Sequence, residues 1–153
     1  MAKRGGTHHS KRLTAPHAVP VIGRKRIQWM LNPHPGPHPK FRAVTLGSFL
    51  RDMLQLGRDL REVKKAVKSG AILVDGKMVR DERRPLGLMD IVEIPKVGKV
   101  WRLQIGPDGK LLAKEIGAEE AHHKLAKVVG KRTVSGNKIQ VSLHDGRALL
   151  ADN

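Results

Sequence analysis

The chain has no cysteine, no tyrosine and no acidic residue before Asp52. Without cysteine there can be no disulfide framework, thiolate metal site or thiol nucleophile. Phe and Trp supply two residues each, so aromatics make up only 3% of 153 residues. Proteins that hold single-stranded nucleic acid by stacking interleave aromatics with basic groups, and little here could serve that purpose. Long apolar runs are missing too. Nowhere do about 18 apolar residues follow one another, so the sequence supports no membrane-spanning helix. The opening MAKRGGTHHSKRL lacks the apolar stretch of a secretory leader, and the expected location is cytoplasmic. The length suits one ordinary domain or two small ones, not a large catalytic fold around a buried cofactor.

What is present in excess is positive charge. Lys and Arg number 30 against 14 Asp and Glu, a formal net charge of +16. A folded chain so charged repels itself, and the imbalance calls for a polyanionic partner. The excess is graded along the chain, at +9 over residues 1–42, +5 over 43–106 and +2 over 107–153. These three segments are the expected units. The first is a basic, irregular, Pro- and His-rich extension in which NPHPGPHP should form a stiff, polyproline-like connector. With so few large apolar residues, it should be ordered mainly by what it binds.

From Thr45 the pattern turns helical. Leu46, Phe49, Leu50, Met53, Leu54 and Leu56 share a face, with Thr45 as N-cap and Gly57 as the stop. Asp59 and Glu62 have capping-box spacing for a second helix that is sharply two-sided. Leu60, Val63, Ala66 and Val67 fall on one side, and Arg61, Lys64, Lys65 and Lys68 on the other. Ser69-Gly70 closes it. Residues 71–74, the Asp75-Gly76 reversal and Met78-Val79 predict a hairpin, followed by strands over LMDIVEI and around Trp101–Ile105. Beyond GPDG, Lys110–Ile116 should return as a strand, AEEAHHKL should make a short helix, and further strands should turn at Ser135-Gly136-Asn137 and Asp145-Gly146. The expected class is α+β, ending in a mostly β unit that looks truncated and whose last strand leaves an edge needing cover.

The cationic side of the second helix, beside the Arg83-Arg84 loop, can lie against a phosphate backbone. A charge run is commonly just a solvated face, but Glu62 alone cannot neutralise four cations. Folded RNA is favoured over duplex DNA, because no zinc finger, basic zipper or major-groove helix is evident. His8, His9, His17, His34 and His38 could suggest metal, yet they sit among prolines with no acidic residue to orient an imidazole. Polar contact to RNA or solvent is the plainer expectation, and no metal site is predicted. His122-His123 and His144-Asp145 read as turn or surface residues. Asp81-Glu82, flanked by arginines, reads as salt-bridging or solvated. No serine elbow, GxxxxGK[ST] loop or HExxH helix occurs, so neither enzymatic activity, cofactor nor small-molecule substrate is expected.

VTLGSFLRDML…DLREVKKAVKSGAILVDGKMVRDERRPLGLMDIVEI resembles the S-four RNA-binding module, or alpha-L motif, across Leu46 to Ile94. Val74-Asp75-Gly76-Lys77 stands at that family's Val-Asn-Gly turn, and Leu88-Met89-Asp90-Ile91 at its strand entry. Asp75 replaces the turn Asn, and its charge argues against a role as phosphate ligand. HHSKRLTAPHAVPVIGRKRIQWMLNPHPGPHPKFR and AEEAHHKLAKVVGKRTVSGNKIQVSLHDGRALL resemble the N-terminal and central regions of the e-type ribosomal small-subunit protein four family, in its archaeal form. That family usually carries a further C-terminal barrel, which is not found in this sequence. The resemblance implies a structural protein of the small ribosomal subunit, binding ribosomal RNA and neighbouring ribosomal proteins. The residues expected at RNA are Lys3, Arg4, Lys11, Arg12, Arg24, Lys25, Arg26, Lys40 and Arg42 in the extension. In the module they are Arg51, Arg58, Arg61, Lys64, Lys65, Lys68, Lys77, Arg83 and Arg84. A different reading makes the chain the RNA-targeting appendage of an RNA-modifying enzyme. Binding to an anionic membrane ranks last, because the second helix offers only core-sized apolar residues.

Overall fold

The computed structural model describes residues 7–21, 25, 27–136 and 138–152. Among the described residues its twelve short strands, two α-helices, three 3-10 turns and one π-turn are α+β, and all the strand pairings are antiparallel. The extension is more ordered than its composition predicts. Strands β1 (His9–Lys11) and β2 (Trp29–Leu31) pair, with Ser10 opposite Met30. Val19, Met30 and Leu31 are buried, so few apolar residues suffice when each lands on an existing core. The expectation of an arm ordered mainly by its partner is therefore corrected for residues 7–21 and 27–42.

β3 (Val44–Thr45) leads directly into a helix. Thr45 caps it as expected, its Oγ1 accepting from the Ser48 N–H at 3.3 Å. One turn of α-helix, α1 (Leu46–Ser48), widens into a π-turn over Phe49–Met53. The chain then reverses through Gln55, at a φ of +54°, with the Leu56 N–H donating to the Leu50 carbonyl at 3.0 Å. The stop is thus two residues before Gly57, and Leu56 is exposed rather than on the apolar face.

α2 (Leu60–Lys68) follows the sequence reading closely. Asp59 Oδ1 accepts from the Glu62 N–H at 2.8 Å, while Glu62 Oε2 accepts from the Arg58 N–H at 3.0 Å. Val63 and Val67 are buried, although Ala66 is exposed. Gly70, at a φ of +75°, ends the helix.

A five-stranded sheet then forms in the order β5-β4-β7-β8-β9. Its strands are β4 (Leu73–Val74), β5 (Lys77–Met78), β7 (Ile91–Ile94), β8 (Lys99–Ile105) and β9 (Leu111–Ile116). The β4–β5 reversal has Asp75 and Gly76 both at positive φ, +49° and +72°, as a tight hairpin of this hand requires. β6 (Pro85–Leu86), where the sequence predicts a loop, pairs with β3. Phe49, Leu46, Val67, Leu86, Val92 and Leu103 are fully buried, joining both helical segments, the β1–β2 hairpin and the sheet in one core. Burial of each such side chain contributes roughly 1.5–3 kcal/mol.

The boundary drawn after residue 106 falls inside the β8–β9 hairpin, where Ile105 faces Leu111. The sheet continues across it. A short 3-10 turn (Glu119–His122) leads to a separate three-stranded sheet of β10 (Val128–Val134), β11 (Lys138–Leu143) and β12 (Ala148–Asp152).

Candidate nucleic-acid interface

The apolar side of α2 is fixed by Val63 and Val67 in the core, so the opposite side must face outward. Arg61, Lys65 and Lys68 are exposed there, and Arg58 is exposed just before the helix. None of these four side chains has a hydrogen bond or ion pair among the described residues. Lys64 shares the face, but it reaches Glu82 Oε1 at 2.9 Å and is partly neutralised. That pair joins α2 to the Arg80–Arg84 loop. At its other end α2 abuts β5, where a Cβ added at Gly70 would lie 2.7 Å from Met78 Sδ. Lys77 and Arg80 on this hairpin are also exposed and unpaired among the described residues, extending the cationic surface. Arg80 was not among the predicted residues, although the RDERR run that contains it gave the signal.

Other predicted cations serve the fold. Arg12 is only 2% exposed, and its guanidinium lies 2.9 Å from Asp52 Oδ1. Asp52 also takes Arg51 through both carboxylate oxygens, at 2.7 and 2.8 Å. The hydrogen bond to Asp52 pushes the Arg51 pKa up, against the opposing effect of burial. Arg83 is buried, donating from Nε to the Asn32 carbonyl at 2.9 Å and lying 2.7 Å from His8 Nδ1. Arg84 is half-buried, with its Nε enclosed. In the extension, Lys11, Lys25, Lys40 and Arg42 are exposed. Lys3, Arg4, Arg24 and Arg26 lie outside the described residues.

The crowded loop that follows the hairpin is held by the proline-rich connector, which lies over it as a strap. The His34 N–H donates to the Arg83 carbonyl at 3.0 Å, and His34 Nδ1 is 2.6 Å from Asp81 Oδ2. Burial raises the Asp81 pKa, but the Arg83 N–H and His34 outweigh it and hold the carboxyl below its ordinary range. Gly36 packs on Pro85, and the His38 ring covers Gly87 so closely that a Cβ there would overlap it. His38, almost wholly buried, thus contacts protein groups, correcting for that residue the expectation of polar contact to RNA or solvent, while His8 and His34 touch protein groups and stay exposed to solvent. Gly87→Ala is expected to eject His38 and loosen residues 34–39. Faster amide exchange across the strap, with exchange in α2 unchanged, is the measurement that checks it.

A second device joins the two sheets. Lys124 Nζ sits among three aspartates, 2.9 Å from Asp75 Oδ2, 2.5 Å from Asp90 Oδ1 and 3.2 Å from Asp145 Oδ2. Arg147 pairs with Asp75 and lies 3.4 Å from Asp145 Oδ2, while His38 Nε2 is 2.9 Å from Asp90 Oδ2. The aspartates are almost wholly buried, their side chains 3–7% exposed. Burial pushes the carboxyls of Asp90 and Asp145 up, yet their partners hold both below the ordinary 3.8. For Lys124 burial works downward, and Asp90 and Asp75 raise it above 10.5. Asp145 is therefore a turn residue, as expected, but a buried one rather than a surface one, and Lys124, Asp90 and Arg147 carry a role the sequence does not announce. Asp75 also accepts from the Ile91 N–H at 3.0 Å. Aspartate at this turn suits an ionic partner that asparagine could not satisfy.

Among the described residues no metal-ligating cluster occurs, and no helix is long and apolar enough to cross a membrane. The family model described as "Ribosomal family S4e" matches residues 97–153. Small ribosomal subunit protein eS4 of Nanoarchaeum equitans is 40% identical over 145 residues, covering 95% of this chain and 62% of that protein. Its counterpart in Korarchaeum cryptofilum is 41% identical over 152 residues, covering 99% of this chain and 64% of that protein. The crystal structure of 30S ribosomal protein S4e from Thermoplasma acidophilum superposes with a TM-score of 0.61 at 38% identity, over 73% of this chain and 57% of that one. The chain spans less than two thirds of the length of these relatives.

Proposed function

This chain belongs to the ribosomal S4e family, and from that membership we propose that it is a structural, non-catalytic constituent of the small ribosomal subunit. Its partners are small-subunit ribosomal RNA and neighbouring ribosomal proteins, which places it in the cytoplasm, at the ribosome. Residues 43–106 act as an RNA-binding module of the S-four type. Residues 7–42 are clasped to it, β9 continues its sheet past residue 106, and the three-stranded sheet of β10–β12 adds a mostly β unit.

One observation carries the reading. The chain's internally useful cations, Arg12, Arg51, Arg83 and Lys124, all have carboxylate, carbonyl or imidazole partners, whereas Arg58, Arg61, Lys65, Lys68 and Lys77 have none among the described residues. Five rigidly mounted, unneutralised cations on one side of a protein suit a phosphate backbone. With few aromatic rings on that surface, phosphate position and RNA shape dominate over base identity.

If about five phosphates are neutralised, log affinity for structured ribosomal RNA should fall with log salt at a slope of about −4. Titration by fluorescence anisotropy across a series of potassium chloride concentrations measures this. A slope near zero would remove the phosphate-contact reading.

A further inference from the structure

A cleft of about 740 Å³ opens where the strap, the β8–β9 hairpin and the three-stranded sheet meet. This volume lies within the roughly 300–1,000 Å³ of pockets that hold small molecules and cofactors. We infer that the cleft receives a single unpaired nucleotide of the partner RNA, its base between apolar walls and its phosphate at Arg42 and Lys127. The inference rests on the RNA-binding reading above and deepens it.

The walls come from Leu88, Ile105, Leu111, Val128 and Val129. Ile105, Val128 and Val129 are 57, 56 and 69% exposed, a continuous apolar surface open to water. The floor carries two imidazoles, His38 and His144, with ring centroids 6.2 Å apart. Two cations, Arg42 and Lys127, stand at the margin, and no carboxylate lines the cleft among the described residues. Unpaired RNA bases stack on histidine rings and guanidinium planes as well as on larger aromatics. The half-buried His144 ring and the exposed Arg42 guanidinium therefore give the cleft stacking groups in a chain otherwise poor in them, and the His38 ring, packed on Gly87, backs the floor.

The backbone of β10 is shaped to match. Its register with β11 passes from Val128–Leu143 to Gly130–Ser142, so Val129 is the extra residue of a bulge. Bulges re-aim side chains and stop a ladder locally, and this one puts Val129 on the cleft wall. A protein segment could fill an apolar groove too. Against that occupant, both margin charges are positive and the whole chain already favours a polyanion, so charge complementarity selects RNA.

The test uses two short RNA hairpins that are identical except for one bulged adenosine in the stem, at about 100 mM salt. The bulged hairpin is expected to bind about tenfold more tightly. Val129→Glu and Ile105→Ser, both at exposed positions, should abolish that difference and leave affinity for the paired hairpin within about twofold. Equal binding of both hairpins, unaltered by either variant, overturns the cleft site and leaves the α2 reading standing. Failure of the protein to bind either hairpin overturns both. If Val129→Glu blocks incorporation into subunits while both hairpin affinities stay unchanged, the occupant is a protein neighbour and the inference falls.

Discussion

Lys124→Met should cost about 3 kcal/mol of stability, lowering the melting temperature by about 6–12 °C. The methionine keeps the length of the stem but removes the one charge shared by Asp75, Asp90 and Asp145. Removing one member of a buried ionic group leaves the others desolvated and repelling one another, which costs more than the intact group contributed. Arg147 and His38 still reach these carboxylates, so the loss falls toward the lower end of the measured range for such deletions. The damage should be directional. Amides of β10–β12 should exchange faster than those of the five-stranded sheet, because the group that joins the sheets has gone. A melting temperature within about 2 °C of wild type would show that packing alone holds the sheets together.

The same group sets a pH window. Asp90 and Asp145 have folded pKa values depressed below the ordinary 3.8. Their contribution is therefore complete above that value and is lost as pH falls through the depressed ones. Lys124 is raised above 10.5, so its contribution is complete below that pH and is lost as pH rises through the folded value. The contribution of this group should be flat between these limits and fall outside both. Lys124→Met should lose the alkaline limb.

The other large effect concerns binding. Reversing Arg61 and Lys65 to glutamate should weaken RNA affinity on the order of 10²-fold at low salt, and the salt slope should drop by about two. Both side chains are exposed and unpaired among the described residues, so the fold should change little. The same substitutions should impair incorporation into subunits, readable by sedimentation of tagged protein. Unchanged affinity in a folded double variant would move the RNA contact away from α2.

How much of this was legible beforehand depended on whether the determining partner lay nearby in sequence. The caps at Thr45 and Asp59, the two sides of α2 and the Asp75-Gly76 turn depend on neighbours within a few residues, and their patterns were plain. Arg12 was unreadable as a structural residue because Asp52 lies 40 positions away. An isolated basic side chain looks the same whether it awaits a phosphate or a buried carboxylate. The histidines of the extension and Lys124 failed for that reason, with partners 21 to 75 positions distant. The early end of the first helix had a local cause. Asn and Asp adopt left-handed backbone more readily than Gln does, and nothing in Gln55 announced its positive φ.

The clasping of the leader has a temporal side. His8 meets Arg83 across 75 residues of chain, and His34 meets Asp81 across 47. A nascent polypeptide lengthens by about 5–20 residues per second, so His8 emerges roughly 4–15 s before its counterpart exists. Until then neither the His8–Arg83 nor the His34–Asp81 contact can form, and the clasp stays open. Vectorial synthesis thus leaves the extension unclasped until Arg83 has been translated.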